Sequence, residues 1–362
     1  MKSLTVTTQN AINYGAVLQS YALNKTLLSF NVEDELLNLK RGSVPYYVKC
    51  SLKNFPSAIY NNLIRLFRKK DIKLKEKRFF EFVNNNIKTT KEYKTIQEVV
   101  DNPPEADVYI TGGDQMFNES SVNRATNLLM FGREDIKRIS YSTSMGSYWI
   151  DKSDKKEVFA TALKKYSNIS LRESQCKEPL EKLLEKSVSV NIDPTLLASE
   201  SIWQQFIKPN KNKDYVLCYS LLNNSKLNKL VEKIKQKTKL PVYVISPNAR
   251  CYVKGADKII YNAGPIEFLN LIYHAKEVIS TSFHGVCFSV IFEKPFYCLK
   301  KIGGDYRFEN LLNILGLLDR IVNDKIDNLV DCKIDYSRVK KLIIKERQKA
   351  KNYLKGALGI NE

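Results

Sequence analysis

The sequence ISTSFHGVCFSVIFEKPFYCL, residues 279–299, contains the pattern that decides the fold. A short apolar run comes first, a polar break follows at His284, and roughly two turns of apolar helix lead to a second strand-like run after Pro295. A strand, a break and a helix form one half of an α/β unit. Because ligands of open α/β sheets bind outside the carboxyl ends of strands, we expect chemistry at residues 281–284.

His284 is therefore a candidate phosphate ligand or acid, and Ser282 and Gly285 beside it are candidate substrate-binding residues. The predicted helix directs free backbone N–H groups and a partial positive charge at the same point, which favours an anion. The alternative is a hydrogen-bonded structural histidine, which is common at the edge of an apolar segment. His274 is the other histidine of the chain, and we interpret it as structural because it lies inside a helical pattern.

The chain length of 362 residues predicts two domains rather than one. The sequence contains no uncharged apolar run of about 18 residues and no signal-peptide pattern, so we expect a cytoplasmic protein. Its seven cysteines are scattered and never form a CxxC pair, which predicts neither a zinc site nor a disulfide framework. We expect no cofactor and no bound metal, although a loosely held Mg²⁺ is left open.

The formal net charge of +19 indicates an anionic partner, and the excess is local. Lys40 to Lys94 contains 15 basic and 4 acidic residues. Residues 44–86 resemble two amphipathic helices that mix lysine with aromatic and aliphatic side chains. Residues 59–83 could bind anionic lipid at the inner face of the cytoplasmic membrane, or present only a solvated lysine face. Nucleic acid is not expected, because no recognition motif accompanies the charge.

Two glycine-containing loops follow predicted strands near the start of the chain. Asn13 and Gly15 lie between a strand at 3–8 and a helix at 16–30, where they either contact a ligand or make a tight connection. Gly113 and Asp114 follow the buried strand 106–111. Asp114 could accept a proton from a sugar hydroxyl as a general base, or cap a helix.

Arg172 follows the predicted strand 168–171 and could give a bidentate fork to a carboxylate or phosphate. The alternative is a local ion pair with Glu173 or Asp193.

Alternating strands and helices predict two Rossmann-like α/β domains with mainly parallel sheets that face each other across a central cleft. We place an N-terminal domain at 1–198, a polar linker at 199–213 and a C-terminal domain at 214–335. The basic helix at 336–362 is expected to pack back across the junction.

Five motifs occur in order along the chain: NYGAVLQSYAL, DVYITGGDQMFN, SLRESQ, DPTLL and ISTSFHGVCFSVIFEKPF. Together they resemble the polysaccharide pyruvyl transferase family, although the motif GGDQMFN replaces the more usual SDQVWN-like motif. The resemblance implies a GT-B-like fold and transfer of an enolpyruvyl-derived group from phosphoenolpyruvate to a sugar as a cyclic ketal. Asp114, Arg172 and His284 match the acidic, arginine and histidine positions of the family.

This chemistry needs cations and N–H donors for the carboxylate and phosphate of phosphoenolpyruvate, which Arg172 and the helix after His284 would supply. Arg307 is a further phosphate candidate. His284 would bind the phosphate or serve as the acid, and Asp114 would orient or deprotonate the sugar hydroxyl. We expect the acceptor to be a surface polysaccharide or its lipid-linked precursor.

Two other functions stay open on sequence grounds. A GT-B glycosyltransferase that uses a nucleotide sugar would need a similar phosphate site. A non-catalytic polyanion- or membrane-binding protein would explain the charge alone.

Overall fold

The computed structural model describes residues 1–40, 64, 66–122, 124–209, 214–221, 224–245, 253–300, 306–322 and 333–360. The first of the two predicted basic helices lies outside the described residues. We call residues 1–198 the N-terminal half and residues 214–360 the C-terminal half.

The described residues contain eleven strands, nine of them in two parallel sheets and two in a separate parallel pair. The N-terminal half contains β1 (Lys2–Val6), β2 (Glu33–Leu36), β3 (Val108–Gly112), β4 (Lys137–Tyr141), β5 (Ile169–Leu171) and β6 (Val188–Val190). The C-terminal half contains β7 (Val216–Tyr219), β8 (Val242–Ile245), β9 (Lys258–Ile260), β10 (Glu277–Ser280) and β11 (Phe296–Cys298).

The strand order is β2-β1-β3-β4 in the first sheet and β11-β10-β7-β8-β9 in the second, with every pairing parallel. β5 and β6 pair with each other, and bridges from Ile139 and Thr143 connect β4 to the β5 segment. All residues of β3 and β7 are buried, as expected for parallel strands covered on both faces. The predicted α/β class with two parallel sheets is confirmed.

Helices connect and cover the strands. They are α1 (Tyr14–Ser29), α2 (Lys69–Asn86), α3 (Ile96–Asp101), α4 (Lys156–Lys164), α5 (Lys177–Leu184), α6 (Pro194–Leu197), α7 (Ser201–Gln204), α8 (Ser225–Thr238), α9 (Pro265–Tyr273), α10 (Phe283–Ile291), α11 (Tyr306–Leu315) and α12 (Tyr336–Leu358).

Helix α1 is buried almost all round because it lies where the two halves meet. Tyr14 in its first turn stacks on Phe268 of α9 with ring centroids 4.5 Å apart, and its hydroxyl donates to the carbonyl of Ala263 at 2.8 Å. One hydrophobic core runs through this contact and contains residues from both halves. The N-terminal half is thus fixed to the C-terminal half through α1.

Two segments outside the sheets also touch both halves. Trp203 of α7 is fully buried, with its ring 5.7 Å from that of Tyr21 in α1 and 4.9 Å from that of Phe288 in α10. Helix α12 donates from the Tyr353 hydroxyl to the Ser140 carbonyl at 2.9 Å, and from the Tyr336 hydroxyl to the Lys294 carbonyl. The division into domains and linker stays a prediction.

Candidate active site

Asp193 lies at the centre of the candidate site. It follows β6 and precedes Pro194, which occupies the first turn of α6. Its Oδ1 accepts from the Thr195 backbone N–H at 2.8 Å and from the Thr195 hydroxyl at 2.6 Å. These two bonds fix the carboxylate and leave Oδ2 directed at other partners.

Arg172 and His284 converge on Oδ2 of Asp193 from the two halves. Nη2 of Arg172 lies 2.8 Å from Oδ2 and Nε2 of His284 lies 3.4 Å from it. Arg172 forms a close ion pair with Asp193, but its N–H groups are not aligned for a hydrogen bond. Side-chain exposure is 2% for Arg172, 7% for His284 and zero for Asp193. Burial alone would raise the pKa of Asp193, but the charges of Arg172 and His284, with the hydrogen bonds, hold it well below its usual range.

Gly15 allows His284 to reach this position. A Cβ added at Gly15 would lie 1.9 Å from Nδ1 of His284, far inside van der Waals contact. The backbone of the first turn of α1 therefore supports the imidazole ring. Asn13 has a local role beside it, since its side chain caps α1 by accepting from the Ala16 N–H at 3.2 Å.

A second arginine joins the group through Phe283, the first residue of α10. The guanidinium carbons of Arg172 and Arg307 lie 5.0 and 5.7 Å from the centre of the Phe283 ring. When the Gln115 amide is oriented to satisfy its hydrogen bonds, its oxygen accepts from Nη1 of Arg307 at 2.8 Å. The site thus combines two guanidinium groups and one imidazole.

Glu173 organises the loop after β4. Its Oε1 accepts from the Met145 N–H at 2.6 Å and from the Ser144 hydroxyl at 3.1 Å. Burial raises the pKa of Glu173, and the nearby charge of Arg172 opposes that rise. Glu173 therefore supports the strand end that presents Arg172. Of the two carboxylates that the sequence offered as ion-pair partners of Arg172, Asp193 is the one that forms the pair.

Asp114 lies at the carboxyl end of β3 in a left-handed backbone conformation, with φ of 49°. Its Oδ2 accepts from the Thr8 hydroxyl at 2.9 Å, and its side chain is partly exposed. Turns follow it rather than an α-helix, so helix capping does not explain it. Gly113 also has a positive φ, and a Cβ there would lie 1.5 Å from Oε1 of Gln19, so this turn requires glycine.

Ser282 and Gly285 form contacts inside the C-terminal half. Ser282 precedes α10 without capping it, and its backbone N–H donates to the Ser280 hydroxyl at 3.0 Å. A Cβ at Gly285 would lie 2.2 Å from Oγ of Ser280, so this glycine permits close packing of α10 on β10.

The structure thus brings together four of the predicted residues, Gly15, Arg172, His284 and Arg307, around Asp193 and Phe283. Asp114 and Gly113 are connected to this group through Gln115, which follows Asp114 and bonds to Arg307. Sequence analysis weighed Asp193 only as an ion-pair partner. The available signal was its position after a strand, which is also what singled out Arg172 and Asp114. The proline that follows Asp193 was a second signal.

The described part of the chain contains no cluster of three or more His, Cys, Asp or Glu side chains that could hold a metal ion. Among its helices, none is both long enough and apolar enough to span a bilayer. Cys176, Cys218, Cys287 and Cys298 are free and buried.

Two parallel sheets with a polar site between them define a GT-B-type fold. UDP-GlcNAc 2-epimerase from Neisseria meningitidis is similar over 100% of both chains, with a TM-score of 0.55 and 12% identity. UDP-N-acetylglucosamine 2-epimerase from Rickettsia bellii is similar over 98% of both chains, with a TM-score of 0.51 and 10% identity. An alpha-glucosyltransferase in complex with UDP and DNA is similar over 98% and 95%, with a TM-score of 0.51 and 9% identity. These likenesses show the fold.

The chain belongs to the polysaccharide pyruvyl transferase family, whose model matches residues 13–300. This match confirms the family predicted from the five motifs. No curated protein matches the chain.

Proposed function

We propose that this protein transfers the enolpyruvyl-derived group of phosphoenolpyruvate to a sugar of a surface polysaccharide or its lipid-linked precursor, forms a pyruvate ketal and releases phosphate. Family membership supports the reaction class. The observation that carries the proposal is the convergence of Arg172 and His284, from opposite halves, on one carboxylate of Asp193.

Phosphoenolpyruvate carries a carboxylate and a phosphate, and the site offers donors for both. Nε and Nη1 of Arg172 are buried and donate no hydrogen bond within the described residues. Buried donors of this kind favour an anionic oxygen, since an unmade bond costs about 1–3 kcal/mol. Arg307, which lies beside Phe283, and the N-terminus of α10 add positive potential to the site.

The reaction balances without a cofactor. C3 of the enol takes a proton, one sugar hydroxyl forms a bond to C2, the bond between C2 and the phosphate oxygen breaks, and a second hydroxyl closes the ketal. The two sugar hydroxyls lose one proton each. One of these balances the proton that C3 gains, and the other leaves with the phosphate.

His284 either binds the phosphate or gives the proton to C3. The Asp193 carboxylate, with its Oδ2 3.4 Å from Nε2, orients the imidazole for either role. Asp114 orients or deprotonates the attacking hydroxyl, and its partial exposure at a strand end suits this role. Asp193 acts as a positioning residue, because it holds Arg172 and His284 in one geometry.

The near-complete burial of Arg172 and His284 has a consequence for binding. We therefore propose that a local rearrangement at the contact between Asp193 and His284 admits phosphoenolpyruvate, while the core shared through α1 keeps the two halves joined.

The direct test is phosphate release from phosphoenolpyruvate in the presence of candidate lipid-linked glycans. We expect His284→Ala to abolish turnover and Arg172→Ala to abolish binding of phosphoenolpyruvate. Full activity of His284→Ala would remove His284 from the mechanism, and unchanged affinity of Arg172→Ala would make Arg172 structural.

Thermal shift separates this reaction from its main rival. Phosphoenolpyruvate should raise the melting temperature, while UDP- and GDP-sugars should not. The opposite result would favour a nucleotide-sugar glycosyltransferase.

Helix α2 supports a membrane partner. Its inner face is buried through Phe79 and Phe82, and its outer face carries exposed Leu74 and Phe80; Phe67, just before the helix, is exposed as well. The exposed lysines of the helix lie among them; they are Lys69, Lys70, Lys73 and Lys77. Apolar side chains among lysines on one face are typical of a helix that lies on anionic headgroups. We therefore propose peripheral contact with the membrane that carries a lipid-linked acceptor.

A further inference from the structure

A pocket of about 750 Å³ lies between α2 and the loops that follow β1 and β2. Residues 9–12 form one wall, Asn38 and Lys40 extend it, and Phe79, Phe80 and Val83 of α2 form the opposite wall. Both loops follow the carboxyl ends of parallel strands, where α/β proteins bind ligands. The size is that of a pocket for an organic molecule rather than for an ion.

The lining mixes amide, aromatic and charged side chains, a combination that suits a carbohydrate. The charged residues are Lys40, Lys73, Glu76, Lys77 and Glu92. Four amide side chains, Gln9, Asn10, Asn38 and Asn84, line the pocket and can both donate to and accept from hydroxyl groups. The ring of Phe80 is 68% exposed, which offers an apolar face for the C–H side of a sugar. Amides with an exposed aromatic ring match a ligand that is polyhydroxylated and partly apolar.

Gln9 is the most specific of these residues. Its side chain is 1% exposed, and its Nε2 donates to the Leu37 carbonyl at 2.6 Å. Its Oε1 is buried and accepts no hydrogen bond within the described residues. A buried acceptor without a donor is costly, and a ligand hydroxyl that reached this oxygen from the pocket would remove that cost.

Two sets of contacts connect the pocket wall to the candidate active site. Thr8 directly precedes Gln9, and its hydroxyl donates to Asp114 at 2.9 Å. The Phe79 ring in the pocket wall lies 5.1 Å from the ring of Tyr14, which precedes Gly15 and its contact with His284. Only Thr8 therefore separates the lining residue Gln9 from a contact with Asp114, the group proposed to receive a sugar proton.

We infer that this pocket is the acceptor subsite and binds a glycan of about two or three sugars, whose terminal unit reaches Asp114. The identification of the pocket as the acceptor subsite rests on the proposed function. Binding of a saccharide to the pocket requires neither phosphoenolpyruvate nor turnover.

The test is saturation-transfer NMR on the full chain with lactose, N,N′-diacetylchitobiose and maltose, without phosphoenolpyruvate. The wild type should bind at least one of the three. Ile12→Trp fills the pocket from a residue that is 40% exposed, and Phe80→Ala removes the stacking ring. Each should weaken binding by at least about tenfold.

Phe67→Ala is the matched control, because Phe67 precedes the same helix, is 85% exposed and does not line the pocket. It should bind as the wild type does. Absence of binding to all three saccharides, or equal binding by the wild type, Ile12→Trp and Phe80→Ala, would reject the pocket.

A parallel measurement separates this inference from the proposed reaction. Ile12→Trp and Phe80→Ala should retain the wild-type affinity for phosphoenolpyruvate. Saccharide binding that depends on the pocket, without phosphoenolpyruvate binding, would uphold the subsite and reject the proposed reaction. Phosphate release that both variants leave unchanged at limiting saccharide would reject the subsite and uphold the reaction.

Discussion

The imidazole of His284 rests on the backbone of Gly15, and a single added carbon at Gly15 would lie 1.9 Å from its Nδ1. The two residues belong to opposite halves and are far apart in sequence. Because His284 also contacts Asp193, this glycine determines where the imidazole can lie relative to Arg172.

Gly15→Ala should therefore displace His284 and reduce phosphate release by at least about a hundredfold, the order seen when catalytic geometry is misplaced. Overpacking of this kind should also lower the free energy of unfolding by about 1–3 kcal/mol. Both quantities can be measured, by phosphate release and by urea denaturation.

Gly356→Ala is the matched control. Gly356 lies in α12, and a Cβ there meets no atom within 4 Å. Replacing a glycine in a helix by alanine should raise stability by about 0.5–1 kcal/mol and leave activity unchanged. If Gly15→Ala behaved as this control does, the contact with His284 would have no functional meaning.

Asp193→Asn tests the central carboxylate. Asparagine can retain the cap on Thr195 but removes the negative charge, so Arg172 would be buried without its partner. We expect a loss of about 3–5 kcal/mol in urea denaturation and a marked loss of phosphate release.

Asp335→Asn serves as the control, because Asp335 also caps a helix, α12, but at an exposed position. It should change stability by no more than about 0.5 kcal/mol. Equal stability of the two variants would show that the Asp193 charge does not hold Arg172.

Asp34 should make the free energy of unfolding fall as the pH rises from about 4 to about 6. It accepts from the hydroxyls of Ser3 and Thr5, each at 2.7 Å, and from Asn24 at 2.9 Å, but burial raises its pKa to about 6. Between its unfolded pKa near 3.9 and about 6, the folded state binds the proton more tightly than the unfolded state. This contribution to stability is complete below about pH 4 and is lost as pH rises to about 6, by about 3 kcal/mol in total.

Asp34→Asn should remove that fall, and the difference between wild type and variant should be constant above about pH 7. Urea denaturation from pH 4 to pH 8 measures it. A wild-type curve with the same slope as the variant would contradict the raised pKa. The Asp193 pair acts with the opposite sign, since its pKa is lowered and its contribution is lost only as the pH falls below about 4.

The fold was predictable because each strand and helix carries a local signal. The helix Ser225–Thr238, for example, shows local signals that the sequence displays directly: an N-cap at Asn224 and lysines in its last turn. The positions of Arg172, His284 and Asp114 were predictable for a related reason, since each follows a strand of a parallel sheet.

The relationships between those residues could not be predicted from local patterns. The contact of Gly15 with His284 and the meeting of Arg172 with His284 at Asp193 depend on how the halves dock, which is determined by buried side chains such as Tyr14 and Trp203. Side chains that pack between distant segments leave no periodic signal in sequence. For the same reason, the sequence of α1 is that of an ordinary apolar helix, although α1 lies in a core that both halves share.

The outer face of α2 should determine membrane binding. Lys69 and Lys70 are exposed beside Phe67, and each lysine near an anionic surface contributes about 1 kcal/mol. The double variant Lys69→Glu/Lys70→Glu should therefore reduce co-sedimentation with vesicles of mixed neutral and anionic lipid by at least about thirtyfold.

A control with the same charge change, Lys229→Glu/Lys237→Glu on α8, should bind as the wild type does, because that helix belongs to the other half. Equal binding of wild type to purely neutral vesicles would contradict the electrostatic contribution. Equal losses in both double variants would assign binding to net charge rather than to α2.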